Sequence, residues 1–264
     1  MLGRSTNVAA LQADADVAAW VAAVIAAGGT VSAAQQASVT TLVQALKGCG
    51  AWALTDDYAL YAVENQTQAL VTLKMRITQT LAHLTSSDPS FVGSRGFLGN
   101  KDGFVNTGWD PTSGSPQYAR DSARFGVWIY SAASTSSTWV FGHDGASTNT
   151  GIELTNVGAA AGVNSAGTSS YTSAGGFTTG WHVAERTGSA AEDLIINAVQ
   201  VAASTASSNA VASQNFTVLQ INGFGGPTDA GVSAAVYGGP LTSAAMYAAE
   251  YAALRAYMTS VGVP

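Results

Sequence analysis

Charge is scarce in this 264-residue chain: Asp, Glu, Lys and Arg make up 10% of it, against roughly 25% in an average soluble protein. A surface with so few ions is finished with hydroxyls, amides and backbone, which suits proteins held in assemblies or facing sugars. Ten basic residues stand against sixteen acidic ones, for a net charge of -6. No stretch clusters the basic ones, so the electrostatic footprint of nucleic-acid binding is missing. Cysteine is nearly absent. Cys49 alone excludes an intramolecular disulfide framework and a Cys-rich zinc site, and between Gly48 and Gly50 it reads as a small buried turn residue. His83, His143 and His182 are too scattered to form a ligand pair at helical spacing. No apolar run reaches the ~18 residues that suggest a membrane span, so no membrane insertion is expected. Val17–Ala27 is apolar, but Asp14 and Asp16 stand where a secretory signal carries basic residues. It reads as an amphipathic helix, and no N-terminal export signal is expected. G-x-S-x-G, P-loop, H-E-x-x-H and dinucleotide-binding signatures are missing as well.

Hydrophobic residues are plentiful at 47%, enough for a substantial core. Val17, Trp20, Val21, Val24 and Ile25 recur at the spacing of one buried helix face. Gly28-Gly29 ends that helix, and Ser32 with Gln35 forms a capping-box signature for the next. A third helix is expected over Asp56–Glu64, capped by Thr55, with Gln68–Ile77 extending it or crossing onward. The texture changes near His83, and Asp88-Pro89 breaks any helix. Beyond it come short aromatic and β-branched runs divided by Gly, Ser, Asn and Asp. Strands are expected at Ser90–Val92, Phe104–Thr107, Arg124–Tyr130, Thr138–Gly142, Gly151–Thr155, Gly158–Val163, Gly180–Arg186, Asp193–Ile196, Val199–Ala202, Phe216–Ile221 and Val232–Tyr237. A closing helix follows Thr242 or Ser243, with Met246, Tyr247, Tyr251 (or Glu250 on the flank), Leu254, Met258 and Val261 forming its stripe. The fold class is therefore mainly β, an antiparallel sandwich with an N-terminal helical hairpin and a C-terminal helix. The expected division is a helical anchoring and assembly region over 1–82 and a sandwich with terminal helix over 83–264. Phe125, Val127, Trp181, Val183, Val218 and Leu254 are expected in the core.

Several strand motifs occur in a familiar order. Arg124-Phe-Gly-Val-Trp-Ile-Tyr130 resembles the early core strand of laminin-G-like, concanavalin A-like sandwiches. Thr179-Gly-Trp-His-Val-Ala-Glu-Arg186 resembles their central strand, whose Trp faces the core. Ile195-Ile-Asn-Ala-Val199 is similar to their hairpin, with Ala198 where Gly is usual. Phe216–Gly225 and Val232–Tyr237 resemble the late strands. The segments Asp88–Asn100, Val105–Pro111 and Tyr251–Gly262 extend the resemblance to structural proteins of tailed bacteriophages and prophages. That resemblance implies a jelly-roll sandwich in a virion protein made in the bacterial cytoplasm, such as a tail or head fibre or spike component. Its implied partners are other virion proteins, further copies of itself (three, by analogy with fibres and spikes) and a host surface glycan. Two alternatives stay open: a decoration or cement protein without a ligand, and a polysaccharide depolymerase.

No enzyme is expected, because the paired carboxylates of glycoside hydrolysis have no motif here. Glu153 and Glu185 read as solvent-facing strand charges. Glycan contact needs aromatics for stacking and short amides or carboxylates for hydroxyls. The candidates are Trp109, Asp110, Trp139, His143, Asp144 and Tyr171, in or beside expected loops. No cofactor is expected except a loop Ca²⁺, for which Asp144, Asn149 and Asp229 are candidate ligands.

Overall fold

The structure is a computed structural model. It describes residues 14–134, 138–145, 148–155, 158–165, 169–172, 179–222 and 226–264, with backbone alone at 145, 148–149 and 169–172. Helix α1 spans Ala15–Ala26 and α2 Ala33–Gly48. Each is started by a side-chain cap: of the two acids ahead of α1, Asp14 accepts from the Asp16 N–H at 2.9 Å, and Ser32 Oγ accepts from the Gln35 N–H at 3.0 Å, as expected for α2. Only half of the expected capping box forms. The Gln35 side chain turns away to donate to the Tyr257 hydroxyl at 2.7 Å. The short α3 (Ala51–Leu54) and α4 (Gln66–Leu70) follow, and α5 (Ala244–Ser260) closes the chain behind Ser243.

The strands, in chain order, are β1 (Thr55–Leu60), β2 (Thr80–His83), β3 (Ser90–Val92), β4 (Gly96–Leu98), β5 (Gly103–Asn106), β6 (Ala123–Ser131), β7 (Thr138–Gly145), β8 (Thr148–Thr155), β9 (Gly158–Ser165), β10 (Ser169–Thr172), β11 (Gly180–Gly188), β12 (Ala191–Ile196), β13 (Val199–Ser204), β14 (Thr217–Val218) and β15 (Gly231–Gly238). They form two antiparallel sheets. The first runs β13-β12-β11-β6-β15-β4-β3, and β1 joins it on β15. β4 pairs with the start of β15 and β1 with the rest, so the two lie end to end along one strand. The second sheet runs β10-β9-β8-β7-β14-β5-β2.

Alternation along β6 sorts its side chains. Phe125, Val127 and Ile129 point between the sheets, where Phe125 meets Phe141 and Phe216 at 5.6 and 5.5 Å. Arg124 and Trp128 point the other way, toward α5. Trp128 stacks on Tyr251 at 6.0 Å, and Arg124 Nη1 donates to both Glu250 oxygens at 2.6 Å. Behind α5 lies α2, and α1 packs on α2, its Trp20 donating to the Val71 carbonyl at 3.0 Å. The helices thus form a third layer on the outer face of the first sheet.

Phe125, Val127, Trp181, Val183, Val218 and Leu254 are all buried. The reason differs for Trp181, whose indole N–H points to Glu250 at 3.4 Å. It fills the layer between sheet and α5, not the space between the sheets. Three expectations are corrected. The helix expected over Asp56–Glu64 does not form: its first part, to Leu60, is in strand β1, because pairing with β15 overrides a local pattern of Thr cap and first-turn acids. A boundary at residue 82 therefore does not separate helices from sandwich, since β1 and most of β2 lie before it. The strand over Phe216–Ile221 shrinks to Thr217–Val218, with Leu219 at φ 72° breaking it. At the β12–β13 hairpin, Asn197 and Ala198 have φ of 50° and 66°, the pattern of a type I′ turn. Ala198 adopts that left-handed conformation without being glycine.

Candidate functional site

The outer face of the second sheet is laid out by β7, β8 and β9. In β8, Ile152 and Leu154 belong to the core, so Glu153 and Gly151 face outward. Opposite them in β9 stand Ala160 and Gly162, and opposite them in β7 stand Trp139 and Gly142. A bulge at Val140–Phe141 changes the phase of β7. It lets Phe141 enter the core while Trp139, two residues away, stays outside. The indole of Trp139 lies over Gly151 and against Ile221, in the space where a Cβ on Gly151 would sit, and remains partly exposed. Further along the same face comes Asp144, whose register partner is Asn149. The face therefore carries an aromatic ring with Glu153 opposite it, a row of three glycines, and then a half-buried carboxylate that burial pushes above its usual pKa.

The structure divides the six glycan candidates. Trp139 and Asp144 share this face. His143, between them in sequence terms, points inward and is fully buried, with its ring 4.5 Å from Phe216. Burial lowers its pKa to about 4, and neither ring nitrogen has a partner among the described residues. Trp109 is 2% exposed and stacks on Tyr237 at 4.0 Å. Neither Trp109 nor His143 is open to a sugar, which corrects both as contact residues: each fills the sandwich core. Asp110 sits at a nearby edge. Burial would raise its pKa, but hydrogen bonds from Thr112 and Ser213 outweigh it and hold it low. Its acceptors are already occupied by Thr112 of its own loop and by Ser213 from the segment ahead of β14. Tyr171 lies on β10 opposite Ala159, and its side chain lies outside the described residues, as does that of Asn149.

The cation candidates are not assembled as a cluster. Asp229 accepts from the Ser134 N–H at 2.8 Å and pairs with Lys101 at 3.3 Å. Ser134 precedes β7, whereas Asp144 lies near its other end. Among the described residues, no three of His, Cys, Asp or Glu converge as a metal site.

Sequence reasoning missed the acids of the helix-covered face. Glu185, expected in solvent, is 6% exposed and accepts a hydrogen bond from the Tyr247 hydroxyl. Glu250 is fully buried on Arg124, which also donates to Thr55 Oγ1 at 2.6 Å. Burial alone would lower the Arg124 pKa, but the Glu250 charge outweighs it and raises it. The two glutamates act on one another electrostatically, yet Glu250 is locked in its ion pair and closed to any substrate. A polar residue in an otherwise apolar helix stripe was the one available signal.

No protein-family model and no curated protein matches the sequence. Solved structures do share its shape. The botulinum neurotoxin serotype D binding domain aligns over 76% of this chain and 52% of its own, with a TM-score of 0.53 at 12% identity. Trypanosoma rangeli sialidase aligns over 85% of this chain and 40% of its own, with a TM-score of 0.52 at 10% identity. Domain 4 of an extracellular arabinanase from Geobacillus stearothermophilus, solved with arabinotriose, covers 75% of this chain and 98% of its own, with a TM-score of 0.48 at 15% identity. The chain spans about half of the toxin domain and less than half of the sialidase. At these identities the likeness is one of fold: a mainly β antiparallel sandwich of two sheets, with helices ahead of it and behind it.

Proposed function

We propose that this protein is a non-catalytic glycan-contacting module on a phage virion, a fibre or spike component whose contact surface is the outer face of the second sheet. The observation that carries the reading is Trp139, a partly exposed indole seated over Gly151 with Glu153 opposite and Asp144 further along the same face. An aromatic ring offers a sugar its apolar face, and flanking carboxylates accept from its hydroxyls. The glycine row keeps the surface low enough for a saccharide chain to lie across it. The neurotoxin binding domain and the sialidase give this reading a shared fold and no more. A shallow face gives weak single-site affinity, and many copies on one particle raise it, by about 10²–10⁴-fold for linked sites. The virion placement comes from the sequence resemblance, and locating the chain in a map of an intact particle tests it.

The contact surface is tested by Trp139→Ala and Asp144→Ala. Adsorption to host cells and binding to purified capsule or lipopolysaccharide are expected to fall together, with particle assembly intact. Shortening of the polysaccharide would instead make the protein a depolymerase. A second reading, a decoration or cement protein, draws on a groove of about 180 Å³ between α2 and α5. It is lined by Leu42, Ala45, Ala253 and Ala256, small side chains that permit close helix approach. That reading expects a homo-oligomer, three copies by the fibre analogy, held through the helices. Adsorption surviving both substitutions while particles become fragile would favour it.

A further inference from the structure

The helical layer does not cover the first sheet completely. Between the first turn of α5 and strands β11–β13 lies a cavity of about 250 Å³. Ile195, Ala198 and Leu241 supply apolar wall, while Glu185, Gln200 and Tyr247 supply polar wall. Glu185 Oε2 accepts from the Tyr247 hydroxyl. Glu185 lines the cavity, and no hydrogen bond to its Oε1 is found among the described residues.

Directly opposite Glu185 in the ladder stands Asp193, with the two Cβ atoms about 5 Å apart on the same face. Asp193 accepts from Gln200 Nε2 at 2.6 Å. Neither carboxyl has an ion-pair partner among the described residues. The nearby guanidinium, Arg124, is committed to both oxygens of Glu250. Burial raises both acids, Glu185 to about 7. The groups that act on Glu185 are Tyr247 and Glu250 from α5, Arg124 from β6 and Asp193 from β12.

Charge decides what such a cavity accepts. An anion would be drawn by the α5 N-terminus, worth roughly half a positive charge, and repelled by two carboxylates. A neutral ring leaves both acids as they are. A cation relieves both. An ammonium needs few acceptors, whereas the five-donor fork of a guanidinium needs more than Glu185 Oε1 and Asp193 offer. The space lies below the ~300 Å³ at which ordinary ligand pockets begin, so it suits a single chain with methylenes against the apolar wall.

We infer that this cavity binds a primary alkylammonium group, its nitrogen on Glu185, which lines the cavity with Asp193 as its neighbour across the ladder, and its methylenes on Ile195, Ala198 and Leu241. The group is either a lysine side chain of a partner protein or a free small amine. This site is separate from the Trp139 face and does not depend on it.

The test is titration of the full chain with n-butylammonium and with a blocked Gly-Lys-Gly peptide, followed by NMR shifts and calorimetry. Saturable binding with a Kd near ~1 mM is expected for at least one probe. The amine displaces a proton from Glu185 at low pH, so affinity should fall about tenfold per unit below pH ~7. Glu185→Gln keeps an acceptor for Tyr247, and it should weaken binding at least ~10-fold and remove the pH dependence. Asp193→Asn should weaken binding at least ~10-fold while the pH dependence set by Glu185 persists, and it serves as the second variant should the first fold poorly. Tighter binding of the peptide identifies a partner's lysine; equal or tighter binding of butylammonium identifies a free amine. Trp139→Ala should leave both titrations unchanged, so failure here and failure of the glycan reading stay distinct. No saturable binding, or binding indifferent to both pH and the two substitutions, overturns the inference.

Discussion

The two sheets present opposite solutions to the same problem, an outer face that must meet something. The first sheet turns outward Arg124, Trp128, Trp181 and Glu185, which are buried only because α5 lies on them. The second turns outward Trp139, glycines and Asp144, and Trp139 stays in partial contact with solvent. A large polar or aromatic side chain on a strand is therefore structural on one sheet and available on the other. The difference lies in the covering layer and not in the residue.

The largest effect should come from breaking the covered face. Glu250→Ala leaves Arg124 buried and uncompensated, which costs about 3–5 kcal/mol and should appear as a large drop in the denaturation midpoint. Removing one buried and one partly exposed tryptophan sharpens the contrast. Trp109→Ala empties a core site and should cost about 3–5 kcal/mol. Trp139→Ala should cost about 1–2 kcal/mol, while abolishing glycan binding. If both variants melt alike, the exposed-face assignment is wrong.

Acidity separates the space between the sheets from the helix-covered face in sign. His143 and His182 are held at about 4 when folded, mainly by burial, against 6.5 otherwise. The unfolded chain then binds more protons, so their contribution is present above about pH 6.5 and is lost as pH falls toward about 4. Glu185 goes the other way, from 4.5 up to about 7. Its contribution is present below 4.5 and is lost as pH rises through about 7. Denaturation followed across this range should show Glu185→Gln gaining on the wild type as pH rises, by at most about 1.4 kcal/mol per unit. His143→Phe should gain on it as pH falls. The smallest effect belongs to the β12–β13 hairpin. Ala198→Gly relieves a left-handed alanine and should stabilise by about 1 kcal/mol.

Much of the architecture was readable from local pattern. Asp14, Ser32 and Ser243 stand before apolar periodic runs and do cap helices, and strands β6 to β9 and β11 to β13 sit where β-branched and aromatic runs predict them. What was not readable was set by distant partners. Thr55-Asp56-Asp57 looks like a helix start, yet Asp57 takes N–H groups from Tyr58, Lys74 and Met75 while its backbone pairs with Tyr237. Trp109 and Trp139 look alike as loop-side aromatics, and only Tyr237 and Phe216 decide which is buried. The phase change that exposes Trp139 is a one-residue bulge with no marker in the sequence. Glu185 reads as solvent-facing until α5 is placed over it.

The placement of β1 has a consequence for biosynthesis. Its partner β15 and its cover α5 come after all the other strands in sequence. While the ribosome is still translating, β1 has no ladder to join, Arg124 has no counter-ion and the α1–α2 hairpin has no α5 to rest on. Such long-range closure slows folding and prolongs exposure of unpaired strand edges. The nascent chain should therefore depend on chaperones until α5 emerges, and loss of α5 alone should leave an insoluble product.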